Sequence, residues 1–282
     1  MGKNFKLALI QTLVKGGRKE ENLSHAEELI YRASGGGAQI ALLPECLDLG
    51  WTHPSSQTKA EPIPTGIPFE RLSRAALEND IYICAGLTEK VPGRKSGKNE
   101  TQIYNSAVLI DNKGELILLH RKLNELDIGH EYYNLGDRLN VVETEFGVIG
   151  LMICADAFAE DQVISRSLCY MGADVILSPS SWAVSDTNLY TEKNPYGAIW
   201  RKSYGLVSDK YRVWIAGVSN VGELTEGPWA GRTCIGSSLV YDPDGREVLQ
   251  GPYGADAEAI IYVDIKTVER PFRGHDWTRL EK

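Results

Sequence analysis

The sequence predicts an α/β protein in which two β-sheets pack face to face and helices cover the two outer faces. Three observations lead there. Short apolar runs rich in β-branched residues recur along the whole 282-residue chain, too many for one open sheet. Segments with helical periodicity lie between them from end to end. Several of the runs are continuous rather than alternating, which marks strands buried on both faces.

In chain order, strands are expected at 5–11, 39–43, 81–87, 104–110 and 115–120. The second half adds 139–144, 148–153, 175–178, 213–218, 235–241 and 259–263. A helix over 18–34 places Leu23, Ala26, Leu29, Ile30 and Ala33 on one stripe. Segments 69–79 and 161–171 read the same way, and 196–211 carries Ile199, Trp200, Leu206 and Val207. Asp242-Pro243-Asp244-Gly245 is a turn in which glycine supplies the positive φ. The basic stretch 91–99 resembles a phosphate loop but has one residue too few between its glycines. Asn99 stands where such a loop needs Ser or Thr, so it reads as a solvated loop. No composition break marks a linker, so residues 1–282 form a single domain. Its polar tail, 266–282, carries Pro271, Phe272 and Trp277 and packs either on a neighbouring subunit or on its own surface.

Hydrophobic residues make up 43% and charged residues 24%, enough apolar material for a core without disulfide or metal staples. The net charge of −8 repels phosphates and anionic lipid, so neither nucleic acid nor a membrane is expected as a partner. No apolar stretch approaches the ~18 residues of a membrane helix. The apolar run 5–10 is too short for a signal peptide, and Lys6 occupies the Ser/Thr position of a myristoylation motif. A cytoplasmic location is the expectation. Five cysteines, an odd number without C-x-x-C spacing, and five histidines outside any H-x-x-H frame point to reduced thiols. No metal or other cofactor is expected.

The informative feature is positional. Glu45, Lys122 and Cys154 each follow the carboxyl end of an expected buried strand, where α/β sheets gather their binding crevices. Taken singly, each has an ordinary reading: a core thiol, a loop acid, a surface lysine. Meeting at one place, they would form a base, an electrostatic stabiliser and a nucleophile.

The segments around them resemble the nitrilase superfamily, the carbon–nitrogen hydrolases with a Glu-Lys-Cys triad. Leu42-Leu43-Pro44-Glu45, His120-Arg121-Lys122-Leu123 and Gly150-Leu151-Met152-Ile153-Cys154-Ala155-Asp156 carry the resemblance. Stretches 7–11, 172–180, 216–222 and 236–245 support it in the same order and spacing. The resemblance implies a four-layer α-β-β-α sandwich of two mixed sheets, with protomers pairing into a homodimer or higher homo-oligomer. It also implies a second glutamate after the lysine, for which Glu131 matches and Glu125 lies too near Lys122. Two departures stand beside the nucleophile: Ala155 replaces a common aromatic, and Ala157-Phe158-Ala159-Glu160 is a shortened segment without the usual Arg or Pro.

By this reading Cys154 attacks an amide carbonyl or a nitrile carbon, with Glu45 as general base. Lys122 and local N–H groups favour the thiolate, and Lys122 with the Ala155 N–H stabilises the developing charge. A thioester then hydrolyses to the acid, Glu131 orienting Lys122 or the substrate and Asp156 bracing the turn. His120 and His130 are supporting or surface residues. The family match makes Trp182 the foremost substrate contact. Trp51, Tyr133, Tyr190 and Trp229 divide between core packing and ligand contact, and the cations of Trp200-Arg201-Lys202 between a solvated face and a substrate carboxylate. The leading function is hydrolysis of a small amide or N-carbamoyl compound. A nitrilase acting on C≡N with the same triad is the alternative within enzymes, and a noncatalytic scaffold is the alternative outside them.

Overall fold

The computed structural model describes residues 2–92, 101–190 and 196–269. In its first half β1 (Asn4–Gln11), α1 (Lys19–Gly35), β2 (Ile40–Leu42), a short α2 (Ser56–Lys59), α3 (Ile67–Asn79), β3 (Tyr82–Val91), β4 (Gln102–Ile110) and β5 (Leu116–Arg121) follow one another. The second half holds β6 (Val141–Thr144), β7 (Gly147–Leu151), α4 (Val163–Tyr170), β8 (Val175–Ser180), β9 (Ala183–Val184), α5 (Ala198–Tyr211) and β10 (Trp214–Ser219). It ends with β11 (Val221–Glu223), β12 (Thr233–Ile235), β13 (Leu239–Tyr241), β14 (Glu247–Gln250) and β15 (Ala259–Lys266).

Two six-stranded mixed sheets form, ordered β15-β1-β2-β3-β4-β5 and β14-β13-β10-β8-β7-β6. They face each other, with β1 against β10, β2 and β3 against β8, and β5 against β7. Helices α1 and α3 pack together on the outer face of the first sheet, α4 and α5 on that of the second. This is the expected four-layer α-β-β-α arrangement.

The continuous apolar runs have a direct cause. In β1, Phe5, Leu7 and Leu9 enter the core between the sheets, while Ala8 and Ile10 enter the core under α1 and α3. Strand β2 repeats the pattern, Ile40 and Leu42 inward against Ala41 and Leu43 outward. With period 2 and both faces covered, the middle of each of these strands takes apolar residues on both sides. The α1 stripe Leu23, Ala26, Leu29, Ile30 and Ala33 is buried as its spacing demands. Helix α5 is different: Trp200 and Val207 are buried, but Ile199 and Leu206 are exposed. The apolar arc of that helix is wider than its contact with the sheet.

The run expected at 235–241 divides into β12 and β13. Gly236 and Ser237 both take positive φ, 63° and 57°, and the chain leaves a small three-stranded sheet (β11-β12-β9) to join the large one. A Cβ at Gly236 would stand 2.1 Å from Gln11 Nε2, so the crossing also requires a residue without one. The Asp242–Gly245 turn forms as expected, with Gly245 at φ 72°. Within the basic loop, residues 93–99 lie outside the described residues, as do 270–282 of the polar tail.

Candidate active site

Glu45 lies three residues past β2, in a turn pressed against β3. Gly86 makes that approach possible: a Cβ there would sit 2.5 Å from Glu45 Cα and 2.8 Å from Cys46 N. The Gly86 N–H donates to Pro44 O at 2.9 Å, and Leu47 N–H returns the bond to Gly86 O at 2.8 Å. The Glu45 N–H reaches across the sandwich to Ser180 O at 3.3 Å, at the end of β8. Lys122 follows β5 directly. Cys154 opens a 3-10 turn, Cys154–Phe158, three residues past β7, with φ 45°. A non-glycine residue held in that left-handed region is strained, and such strain concentrates at functional sites.

These strand ends bring buried charges together. Lys122 Nζ donates to Glu45 Oε1 at 2.8 Å and to Glu125 Oε1 at 2.8 Å. Asn105 Nδ2 donates to Glu45 Oε1 at 2.6 Å and to Glu125 Oε2 at 3.2 Å. Trp51 Nε1 donates to Glu125 Oε1 at 3.3 Å, and the Lys122 ammonium stands 5.5 Å from the Trp51 ring centroid. Glu45 Oε2 is buried and has no hydrogen-bond partner among the described residues. A buried carboxylate oxygen left open in this way is costly unless something else uses it.

Glu131 is not part of this cluster. It is exposed, as is His130, whereas Glu125 is buried on Lys122. The chain turns immediately after β5, so a glutamate three residues beyond Lys122 folds back onto it. Gly129 leaves the room, since a Cβ there would meet Glu125 Cγ at 2.4 Å and Oε1 at 2.7 Å. The glutamate that stands on the Lys122 ammonium is Glu125, not Glu131. Family spacing pointed past it because spacing cannot register how tightly a loop turns.

Burial and the neighbouring charges act on each member of the cluster. Burial pushes the Cys154 thiol well above its ordinary range. The Glu45 charge adds to this, and the two together outweigh Lys122 and a Ser181 backbone hydrogen bond, which both favour the thiolate. The balance favours the thiol over the thiolate, in keeping with the expectation that Glu45 serves as its base. Burial also raises the Glu45 carboxyl; Lys122 pulls it back, while the Glu125 charge adds to burial. Burial works against the Lys122 ammonium, yet Glu45 and Glu125 outweigh it and hold the lysine pKa well above its usual range. The cluster is a fixed cation, a raised carboxyl and a neutral thiol.

Around them Cys154 is 6% exposed. Ala155 is fully buried, its carbonyl taken by Asn124 Nδ2 at 2.7 Å. Trp182 is buried in an aromatic wall, 4.7 Å from the Trp200 ring and 6.3 Å from the Tyr196 ring, with its indole N–H unpartnered. Phe158, in the shortened segment, packs edge-on against Trp200 at 5.5 Å. Arg201 is paired with Glu247 and Lys202 is exposed. Of the loop aromatics, Trp51 touches Glu125, and the Tyr133 hydroxyl accepts from Thr52 N–H at 2.9 Å. Asn105, in mid-strand, was invisible to motif reading; the polar pair Asn105-Ser106 in an otherwise apolar run was the available signal. Among the described residues no group of three or more His, Cys, Asp or Glu is placed to hold a metal ion, and no helix is long and apolar enough to cross a membrane.

Comparison with known proteins identifies the family and the fold. The profile of the carbon-nitrogen hydrolase family matches residues 6–271. The omega-amidase NIT2 of Bos taurus is 33% identical over 271 residues, 93% of this chain and 88% of that protein. A nitrilase of Pyrococcus abyssi is 28% identical over 268 residues, 93% of this chain and 91% of the other. A structure of a mutant of the Nesterenkonia AN1 amidase, from the nitrilase superfamily, superposes with a TM-score of 0.76. It does so at 18% identity, covering 100% of this chain and 96% of that one. The chain belongs to the carbon–nitrogen hydrolase family and is an amidase-type enzyme that hydrolyses carbon–nitrogen bonds, not a noncatalytic scaffold.

Proposed function

We propose that the protein hydrolyses a small carboxamide or N-carbamoyl compound through a thioester on Cys154, releasing ammonia or amine and a carboxylic acid. The observation that carries this reading is the Lys122 ammonium held between two buried carboxylates, with Glu45 Oε2 open. Glu45 takes the Cys154 proton as Sγ bonds to the amide carbon. Lys122 and the Ala155 N–H face the oxygen as charge develops on it. The C–N bond breaks and Glu45 protonates the departing nitrogen, leaving the thioester. Glu45 then takes a proton from water as the water oxygen bonds to carbon, and returns it to sulfur as the C–S bond breaks. Glu125 balances and aims Lys122, the part expected of Glu131, and Trp182 contributes to the substrate wall.

Small amides as substrates are supported by the Nesterenkonia amidase, whose structures hold acrylamide and butyramide, and by the omega-amidase names of the relatives. The same reading includes a cytoplasmic homodimer or larger homo-oligomer. The exposed pairs Val163 and Tyr170 on α4 and Ile199 and Leu206 on α5, each seven residues apart, support an apolar subunit face, which light scattering would test. The function is tested by ammonia release from a panel of aliphatic amides, N-carbamoyl amino acids and nitriles, wild type beside Cys154→Ala. Release from amides or carbamoyl compounds that vanishes in the variant is the expected result. Release from nitriles alone would make the enzyme a nitrilase, and equal release by the variant would remove the thioester.

A further inference from the structure

Asn105 stands in β4 on the face that two and four residues later carries Ala107 and Leu109 into the core between the sheets. It is fully buried. An amide at such a position costs free energy unless its polar atoms are all used. Here they are. Nδ2 donates to both carboxylates, Oδ1 accepts from the Cys46 thiol at 3.5 Å, and the backbone carbonyl accepts the Lys122 N–H at 2.9 Å. One residue therefore touches the base, the second glutamate and the backbone of the lysine.

We propose that Asn105 is the positioning residue of this site: its amide occupies Glu45 Oε1 so that only Oε2 is left for the nucleophile's proton, and spaces Glu125 on Lys122. This rests on the reading of Glu45 as the base. The residue type follows from the charges. Two carboxylates beside one ammonium leave a surplus negative charge, which a second cation would cancel, weakening the base. An NH₂ group donates to both carboxylates without adding charge, at a fixed separation.

The amide can sit only one way round. Turned end for end, its oxygen would face two carboxylates and its NH₂ a thiol. Burial pushes the Cys46 thiol well above its ordinary range, with Glu45 and Asp48 adding to the effect, so it keeps a proton to give Oδ1. Cys46, at φ 46°, is thereby part of the same device.

The test uses iodoacetamide, because alkylation of Cys154 needs the same proton transfer but no known substrate. Its rate, assigned to Cys154 by peptide mass, is followed against pH in wild type, Asn105→Ser, Cys46→Ala, Cys46→Ser and Glu45→Gln. Serine is too short to reach both carboxylates. Without a donor on its ionised form the Glu45 carboxyl rises, so the acid limb for Asn105→Ser moves up by about one pH unit, and the plateau falls roughly 10-fold. Cys46→Ala moves the limb the same way by less, and Cys46→Ser, which keeps a donor, restores it. Should Asn105→Ser not fold, as read by circular dichroism, the Cys46 pair decides. Wild-type limbs in Asn105→Ser and Cys46→Ala, with Glu45→Gln slow, overturn the role of Asn105 and leave Glu45 as base. A Glu45→Gln profile equal to wild type overturns both.

Discussion

His120 Nε2 lies 2.8 Å from Asp156 Oδ2, and this buried contact joins the strand that presents Lys122 to the turn that presents Cys154. The rest of the Asp156 carboxylate extends the joint. Oδ2 also accepts the Ile153 N–H at 2.8 Å, and Oδ1 accepts the N–H groups of Leu123 at 3.1 Å and Asn124 at 2.8 Å. One carboxylate thus sets the distance between the two strand ends of the site.

Replacing it with alanine strands three backbone donors in a buried place. Asp156→Ala is expected to lose about 3 kcal/mol or more of stability, read from urea unfolding, and most of its turnover. Asp156→Asn keeps the shape but turns an NH₂ toward one set of donors, so it falls between. Wild-type turnover in a folded Asp156→Ala would mean that the joint does not hold the site.

The two glutamates after Lys122 separate cleanly. Glu125→Gln removes a buried charge from the ammonium and is expected to cost ~10²–10³ in turnover. Glu131→Gln, on the exposed surface, stays near wild type. Gly129→Ala pushes its new methyl into the Glu125 carboxyl and behaves like a milder Glu125 variant. The reverse ranking in steady-state kinetics would return the role to Glu131.

Gly86→Ala tests the close approach beneath the base. Its Cβ would meet three backbone atoms, Glu45 Cα, Cys46 N and Pro44 O at 2.5, 2.8 and 2.9 Å, none of which can rotate away. A loss of about 1–3 kcal/mol is expected from the crowding. Displacing Glu45 by even ~1 Å costs on the order of 10²-fold in turnover. Thermal unfolding and kinetics together check it, and an unaffected variant would show a looser turn than the contact distances imply.

Asp48 gives a pH signature in stability. It is buried, accepts the Thr88 N–H at 3.0 Å and hydroxyl at 3.1 Å, and leaves Oδ2 unpartnered. Burial, against the Thr88 bonds, pushes its carboxyl up to about 6 from 3.8. A raised acid contributes stability that is present below the unfolded pKa and is lost as pH rises through the folded one. Asp48→Asn stays neutral throughout, so its stability relative to wild type should rise by about 2 kcal/mol between pH 4 and pH 7. Urea midpoints at the two pH values measure this, and a constant difference would mean that Asp48 ionises normally.

Most of the architecture was legible in the sequence, because strands buried on both faces are largely apolar and α1 must keep its stripe. What escaped was short or half-exposed. Strands β9 and β11 hold only two and three residues, and β14 alternates between half-buried and exposed positions. The break between β12 and β13 depends on two positive φ values, and Ser237 carries no sign of one.

At the site, the sequence by itself determined which reactive groups follow strand ends, Glu45, Lys122 and Cys154, because motif and local strand pattern are both linear properties. Only the tertiary structure decided what surrounds them: Glu125 rather than Glu131 on the ammonium, Asn105 between the carboxylates, a neutral thiol. Those outcomes rest on how tightly one loop turns, which strand lies opposite, and how much water is excluded. None is a property of neighbours along the chain, since each sums contributions from segments that meet only when the two sheets close.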